Sequence, residues 1–395
     1  MTCSTPPSPP SPTQPAVVPT TPASTITGSH MYHPNSTRNA WLDRYTGTFS
    51  FSGELSERSR ALSVLDGTLR GVGQIFLMNN PLSGLLLVVA VASVSLWGAL
   101  LFLGGSLVGT LTALLLGLPR ELWRAGLYGF NGALVGILGA VFLAGDWNLR
   151  IAAFTLLAAA LSTPVMHATI IVFVEKLGVP ALSVTFGVLG VLLLLLAPAV
   201  AYGRANPALI VPVERLAVAP DPVLRSAATA GDVSIGEGLL NATLRGLSEV
   251  LLLDSLLAGL LVIIAIALCS PIAAGLAAAG SLTGALTAMV MGADGYEIYL
   301  GLWGYNGAVV AVALGGIALE AQWRSVALAI VGAGASALLF GALSEFLGPY
   351  GVIPLSLPLV MVIIGTALAA QGMSRVHDVA PADYSTAEKR LRSRV

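Results

Sequence analysis

Apolar residues run through most of this chain in stretches long enough to cross a hydrocarbon core of ~30 Å, which takes roughly 20 helical residues. In the first half they lie near 82–100, 101–118, 126–144, 151–174 and 181–202, and in the second near 256–275, 276–292, 301–319, 324–345 and 352–371. This predicts an all-α polytopic membrane protein with about ten transmembrane helices. Ahead of the first span in each half lies an amphipathic piece, 62–79 and 236–253, too polar and too short to cross comfortably. Half-length helices in matching positions of two halves are the sequence mark of a transporter site, because a helix end at mid-bilayer presents backbone groups to a path.

The halves repeat each other. Thr68 to Leu87 reads TLRGVGQIFLMNNPLSGLLL, and Thr243 to Val262, 175 positions on, reads TLRGLSEVLLLDSLLAGLLV, with nine identities in twenty. Leu127-Tyr-Gly-Phe-Asn-Gly-Ala133 returns at the same offset as Leu302-Trp-Gly-Tyr-Asn-Gly-Ala308. Five spans per half is an odd number, so the second half is expected to enter the bilayer from the opposite face, as two inverted five-span repeats, each with a half-membrane pore helix. Arg120, Arg124, Lys176 and Arg324 then fall in cytoplasmic turns, whereas Gly292-Ala-Asp-Gly-Tyr-Glu297 is external and carries no Lys or Arg. Arg150 is the exception. Both termini are expected in the cytoplasm and the protein in the cell (inner or plasma) membrane.

Composition agrees with the spans: 55% of residues are hydrophobic and only 10% charged, against roughly 25% charged in soluble domains. Mean hydropathy is +0.85. Net charge is -1 and no basic stripe lies outside the C-terminal tail, so nucleic acid is not an expected partner. Residues 1–55 form a Pro/Ser/Thr-rich tail expected to be disordered. Repeat 1 follows over 56–202, an inter-repeat linker over 203–237, repeat 2 over 238–371, and a polar C-terminal tail over 372–395 with Arg375, Lys389, Arg390, Arg392 and Arg394. Cys3 and Cys269 support neither a disulfide framework nor a zinc site. His30, His33, His167 and His377 show no metal-ligand spacing and no nucleophile motif appears, so no enzyme, cofactor, metal or catalytic residue is expected.

The candidate chemistry comes in pairs. Gln74 and Glu249 hold the same place in the two copies and either bridge neighbouring helices or face a pore; symmetric placement and the expense of an ionisable group at membrane depth favour the pore. Arg245, one turn before Glu249, is a candidate salt-bridge partner for it. Phe130 and Tyr305 start Gly-flanked motifs, with Leu134 and Val309 one helical turn on. Asn131 and Asn306 either bond between helices or touch a solute. Ser183 and Ser356 follow the prolines of VPALSVTF and VIPLSLPL, where a missing backbone donor can free a carbonyl oxygen.

In order and spacing, Gly73-Gln74, Asn80-Pro-Leu-Ser-Gly84, Leu127-Tyr-Gly-Phe-Asn131 and Gly301-Leu-Trp-Gly-Tyr-Asn306 resemble the urea transporters over about 310 residues. Ser183 and Ser356 stand where that family has threonine. The resemblance implies a homotrimer in membrane lipid with one pore per subunit. Gln74 and Leu77 with Phe130 and Leu134 would line one end, Glu249, Val250 and Leu252 with Tyr305 and Val309 the other, and Ser183 and Ser356 the middle. Leu77 and Leu252 take places where the family often has an aromatic. Urea is flat, uncharged and rich in N–H donors, which suits a slit lined by acceptors. Passive, channel-like urea flux is the expected function; a proton-coupled transporter using Glu249, or a channel for a short amide, ammonia or water, is the alternative.

Overall fold

The computed structural model describes residues 47–49, 52, 59–143, 147–200 and 235–392, all within one compact unit, Trp41–Val395. Most of the expected N-terminal tail and nearly all of the linker 203–237 lie outside the described residues, as do Cys3, His30, His33 and Arg394. The described chain is helical. In order come α1 (Arg60–Gly73), a 3-10 turn (Gln74–Phe76), α2 (Pro81–Ala92), α3 (Leu96–Leu115), α4 (Arg120–Arg124), α5 (Gly129–Phe142), α6 (Leu149–Ile170) with a π turn (Ile171–Lys176), and α7 (Val184–Val200). The second set is α8 (Ile235–Glu249), α9 (Leu256–Cys269), α10 (Pro271–Met291), α11 (Gly295–Tyr299), α12 (Tyr305–Gly316), α13 (Trp323–Leu347) and α14 (Leu357–Ala370), followed by α15 (Ala387–Arg392). Each helix from α8 to α14 starts 173 to 176 positions after its counterpart from α1 to α7.

Capping decides where several of these helices begin. The Asn80 side chain accepts from Leu82 N and Ser83 N, with Pro81 at the first helical position. Ser95, Ser255 and Ser270 accept from Gly98 N, Ala258 N and Ala273 N. A good N-cap contributes about 1 kcal/mol, and proline loses nothing at a position whose N–H has no helical partner. Ser95 and Ser270 therefore break apolar runs that hydropathy alone reads through: the stretch 82–100 divides between α2 and α3, and 256–275 between α9 and α10. Of the described helices, Leu96–Leu115, Leu149–Lys176, Pro271–Met291 and Trp323–Tyr350 are long and apolar enough to cross a membrane. Arg60–Phe76 and Pro81–Ala92 form a pair bent by 74°. The remaining apolar helices are shorter; α12, with 12 residues, is about 18 Å long at 1.5 Å per residue and falls short of a bilayer core of ~30 Å.

Those short helices are central. Every residue of α12 is buried, as are most of α5, so their all-round apolar faces meet protein. α5 packs on α3 and α6, and α12 on α10 and α13. Glycine permits the closest of these approaches: a Cβ on Gly132 would stand 2.2 Å from the Gly105 carbonyl oxygen, and one on Gly280 would stand 2.2 Å from that of Gly307. Helix pairs this close gain dispersion contact that any side chain would forfeit. The halves also touch directly. α2 lies against α9, with Ser83 Oγ donating to Ala265 O at 2.7 Å.

Four described residues ahead of position 55 contact the first repeat. Arg70, only 7% exposed, pairs with Asp66 at 2.7 Å and donates to Thr48 O at 2.9 Å, Phe49 O at 3.4 Å and Ser52 Oγ at 2.7 Å. Asn80 Nδ2 donates to Gly47 O at 2.7 Å. A buried guanidinium needs its N–H groups satisfied, and Thr48, Phe49 and Ser52 supply acceptors that a reading of the tail's polar composition does not foresee.

Candidate solute pore

Both pore-helix candidates end in the same irregular way. After α1 the 3-10 turn runs into Leu77 with φ +62°, and after α8 the chain reaches Leu252 with φ +58°. Leu77 N bonds to Gln74 O at 2.9 Å and Leu252 N to Glu249 O at 2.9 Å. A second matched pair follows the prolines Pro180 and Pro354: Leu182 has φ +47° and Leu355 φ +50°. A left-handed backbone at a leucine costs about 1–3 kcal/mol and persists only where surrounding packing fixes it. All four leucines lie on the wall of one cavity of about 440 Å³.

The cavity wall includes all eleven residues singled out from the sequence: Gln74, Leu77, Phe130, Leu134, Ser183, Glu249, Val250, Leu252, Tyr305, Val309 and Ser356. Gln74 Nε2 donates to Ala125 O at 2.8 Å. Because a carbonyl can only accept, this bond fixes the amide and leaves Gln74 Oε1 as an acceptor. Ser356 Oγ donates to Ser183 O at 3.2 Å, joining residues 173 apart in sequence. Tyr305 Oη donates to Leu355 O at 2.6 Å, and the Tyr305 ring meets Phe340 edge-on at 5.7 Å.

Two open readings of the sequence close on geometry. Asn131 Oδ1 accepts from Phe186 N at 3.1 Å, and Asn306 Oδ1 accepts from Leu359 N at 3.3 Å. Both asparagines are buried and tie α5 to α7 and α12 to α14, off the cavity wall. Arg245 does not pair with Glu249. It bonds Asp254 and lies over the Tyr299 ring, 4.8 Å from its centroid; the sharp turn at Leu252 brings residue 254 back beside the helix, which helical spacing alone does not anticipate.

Leu182, Leu355 and Phe186 are among the wall residues that the sequence reading did not single out. Leu182 and Leu355 reach the wall through their unusual backbone, and Phe186 through the Asn131 bond to its N–H. The repeated Pro-then-Leu placement, Pro180 with Leu182 and Pro354 with Leu355, was the available signal.

Apolar helices of membrane-crossing length, together with a cavity walled by both halves and carrying few ionisable groups, define an integral membrane protein. The profile of the urea transporter family matches residues 65–371. The chain is 30% identical over 306 residues to urea transporter 1 of Ovis aries, covering 76% of each chain, and 32% identical over 282 residues to urea transporter 1 of Mus musculus, covering 71% of this chain and 70% of that one. The chain belongs to the urea transporter family, whose members are transporters and not enzymes.

Proposed function

We propose that urea crosses the membrane passively through this cavity, with the eleven residues as its contacts. The observation that carries the reading is that Gln74, Glu249, Ser183 and Ser356, scattered over 283 positions, share a single cavity with two aromatic rings and four strained leucines. Urea offers four N–H donors and one carbonyl acceptor. The Gln74 oxygen, the Glu249 carboxylate and the serine oxygens accept those N–H groups, while Phe130 with Leu134 and Tyr305 with Val309 flatten the passage. An ion would lose its hydration shell between apolar walls, which costs several kcal/mol even for one charge, whereas urea exchanges water hydrogen bonds for protein ones. Shallow binding lets the solute leave again.

In this reading the repeats are inverted, both termini are cytoplasmic, and the protein sits in the cell membrane as a homotrimer with one conduit per subunit. Glu249 on the cavity wall supports a second reading, proton coupling. Uptake of labelled urea into vesicles holding the purified protein tests both. Flux that follows the urea gradient and ignores an imposed proton gradient is expected; acceleration by the proton gradient selects coupling, and flux no greater than in protein-free vesicles overturns both. Thiourea and acetamide as competitors separate urea from other neutral solutes.

A further inference from the structure

The family match ends at residue 371, yet the chain beyond it is docked. Glu320 N donates to His377 O at 2.9 Å and Val379 N to Ala318 O at 2.8 Å, with Leu319 and Asp378 forming an antiparallel bridge. Farther on, the Glu388 carboxylate accepts from Ser270 Oγ at 2.9 and 2.8 Å and from Ile272 N at 2.9 Å. A negative group on the first turn of α10 meets the exposed N–H groups of that helix end. Arg390 donates to Gly316 O and to Ser385 O at 3.2 Å. A Cβ on Gly316 would come 3.0 Å from the Ala387 Cβ, so α12 ends in a residue small enough for the strap to lie across it.

Between the two anchors the strap joins the cavity wall, through Pro381, Tyr384, Ser385 and Thr386 among others. The bond from Ser83 to Ala265 sets the first turn of α2 beside the last turn of α9. One turn on from Ala265, Ser270 holds Glu388; just before α2, Asn79 accepts from Arg70 at 2.8 Å. The strap therefore lies at the Gln74 end. Tyr384 brings a ring and a hydroxyl to that mouth, and Ser385 a second hydroxyl.

We infer that the C-terminal strap is part of the solute path: Tyr384 and Ser385 form a vestibular contact at the Gln74 end that narrows the mouth and holds a flat amide before it reaches Gln74. This rests on the conduit reading above. The test compares intact protein, Tyr384→Ala, Tyr384→Phe and the undocked pair Glu388→Ala with Arg390→Ala, each in vesicles and checked for assembly by size-exclusion chromatography. Fluxes of urea and of the bulkier N,N′-dimethylurea are read. Tyr384→Ala and the undocked variant are expected to raise the dimethylurea-to-urea flux ratio and the urea half-saturation concentration by about two- to tenfold, the range that one net hydrogen bond spans. Tyr384→Phe, which keeps the ring, is expected to keep the flux ratio. If intact protein carries urea while an assembled Tyr384→Ala leaves ratio and half-saturation unchanged, the strap is only a structural clasp and the conduit reading stands. If intact protein carries no urea, the conduit reading falls and takes this inference with it.

Discussion

The two ends of the proposed conduit share one backbone plan and differ in chemistry. In that reading one end holds Phe130 with Gln74, which is tied to Ala125 O, and the other holds Glu249 with Tyr305, whose hydroxyl is spent on Leu355 O. A carboxyl group has no N–H to give a carbonyl, so Glu249 cannot be tied through an amide as Gln74 is. Phe130 has no hydroxyl, so Leu182 O cannot be engaged as Leu355 O is. The supporting arginines differ as well: Arg70 is buried among Asp66, Asn79, Thr48, Phe49 and Ser52, whereas Arg245 is half-buried and uses Asp254 and the Tyr299 ring. Duplication thus preserved the backbone frame and let the hydrogen-bonding groups diverge, so in the proposed conduit a solute meets unequal ends.

The largest effect belongs to the shared frame. Gly132→Leu and Gly307→Leu should each abolish assembled protein, because a side chain at either place collides with a carbonyl of the neighbouring helix within 2.5 Å; normal yield and oligomer profile of either variant would show that the helices part without harm. Next comes the contrast between the ends. Gln74→Leu should lower urea flux about two- to tenfold, as expected for one hydrogen bond lost, and Glu249→Leu more deeply, because its two oxygens reach the solute while the Gln74 amide is half spent on Ala125 O. Equal losses, measured on assembled protein in vesicles, would erase the proposed inequality.

Tyr305→Phe should act more weakly. It removes the bond to Leu355 O, worth about 0.5–1.5 kcal/mol, but frees that carbonyl for solute and makes the two ends alike. A modest change in flux with a loss of thermal stability is expected; a loss as deep as that of Glu249→Leu would mean that the hydroxyl itself contacts solute. Smallest is the N-terminal deletion. Removing residues 1–46 should leave flux unchanged, while extending the cut through 55 should lower stability by stripping Arg70 of Thr48, Phe49 and Ser52. Equal behaviour of the two truncations would make those contacts dispensable.

Much of this site was legible beforehand because it is written twice. Repetition at a fixed offset picks Gln74 with Glu249 and Phe130 with Tyr305 out of many apolar neighbours, and all four lie on one wall. Local chemistry also marks the helix starts at Asn80, Ser95, Ser255 and Ser270, although hydropathy windows slide past the last and second of them. Long-range pairings left no such trace. Nothing near Tyr384 says that it returns to a cavity whose wall starts at Thr48 and takes in Leu359, and the amide of Asn131 reads equally well as solute contact or helix tie until Phe186 N is seen beside it.

From its own residues the chain fixes a helical membrane protein in two related halves, with acceptors and aromatics at matched positions, since hydropathy, capping and duplication are local properties of a linear string. Only the tertiary structure decides that the matched positions converge on one cavity, that Arg245 turns to Asp254 and away from Glu249, and that Tyr384 and its neighbours join that cavity's wall. Those outcomes depend on backbone turns at four leucines and on which buried donor finds which acceptor, and such pairings are selected by the whole packed arrangement.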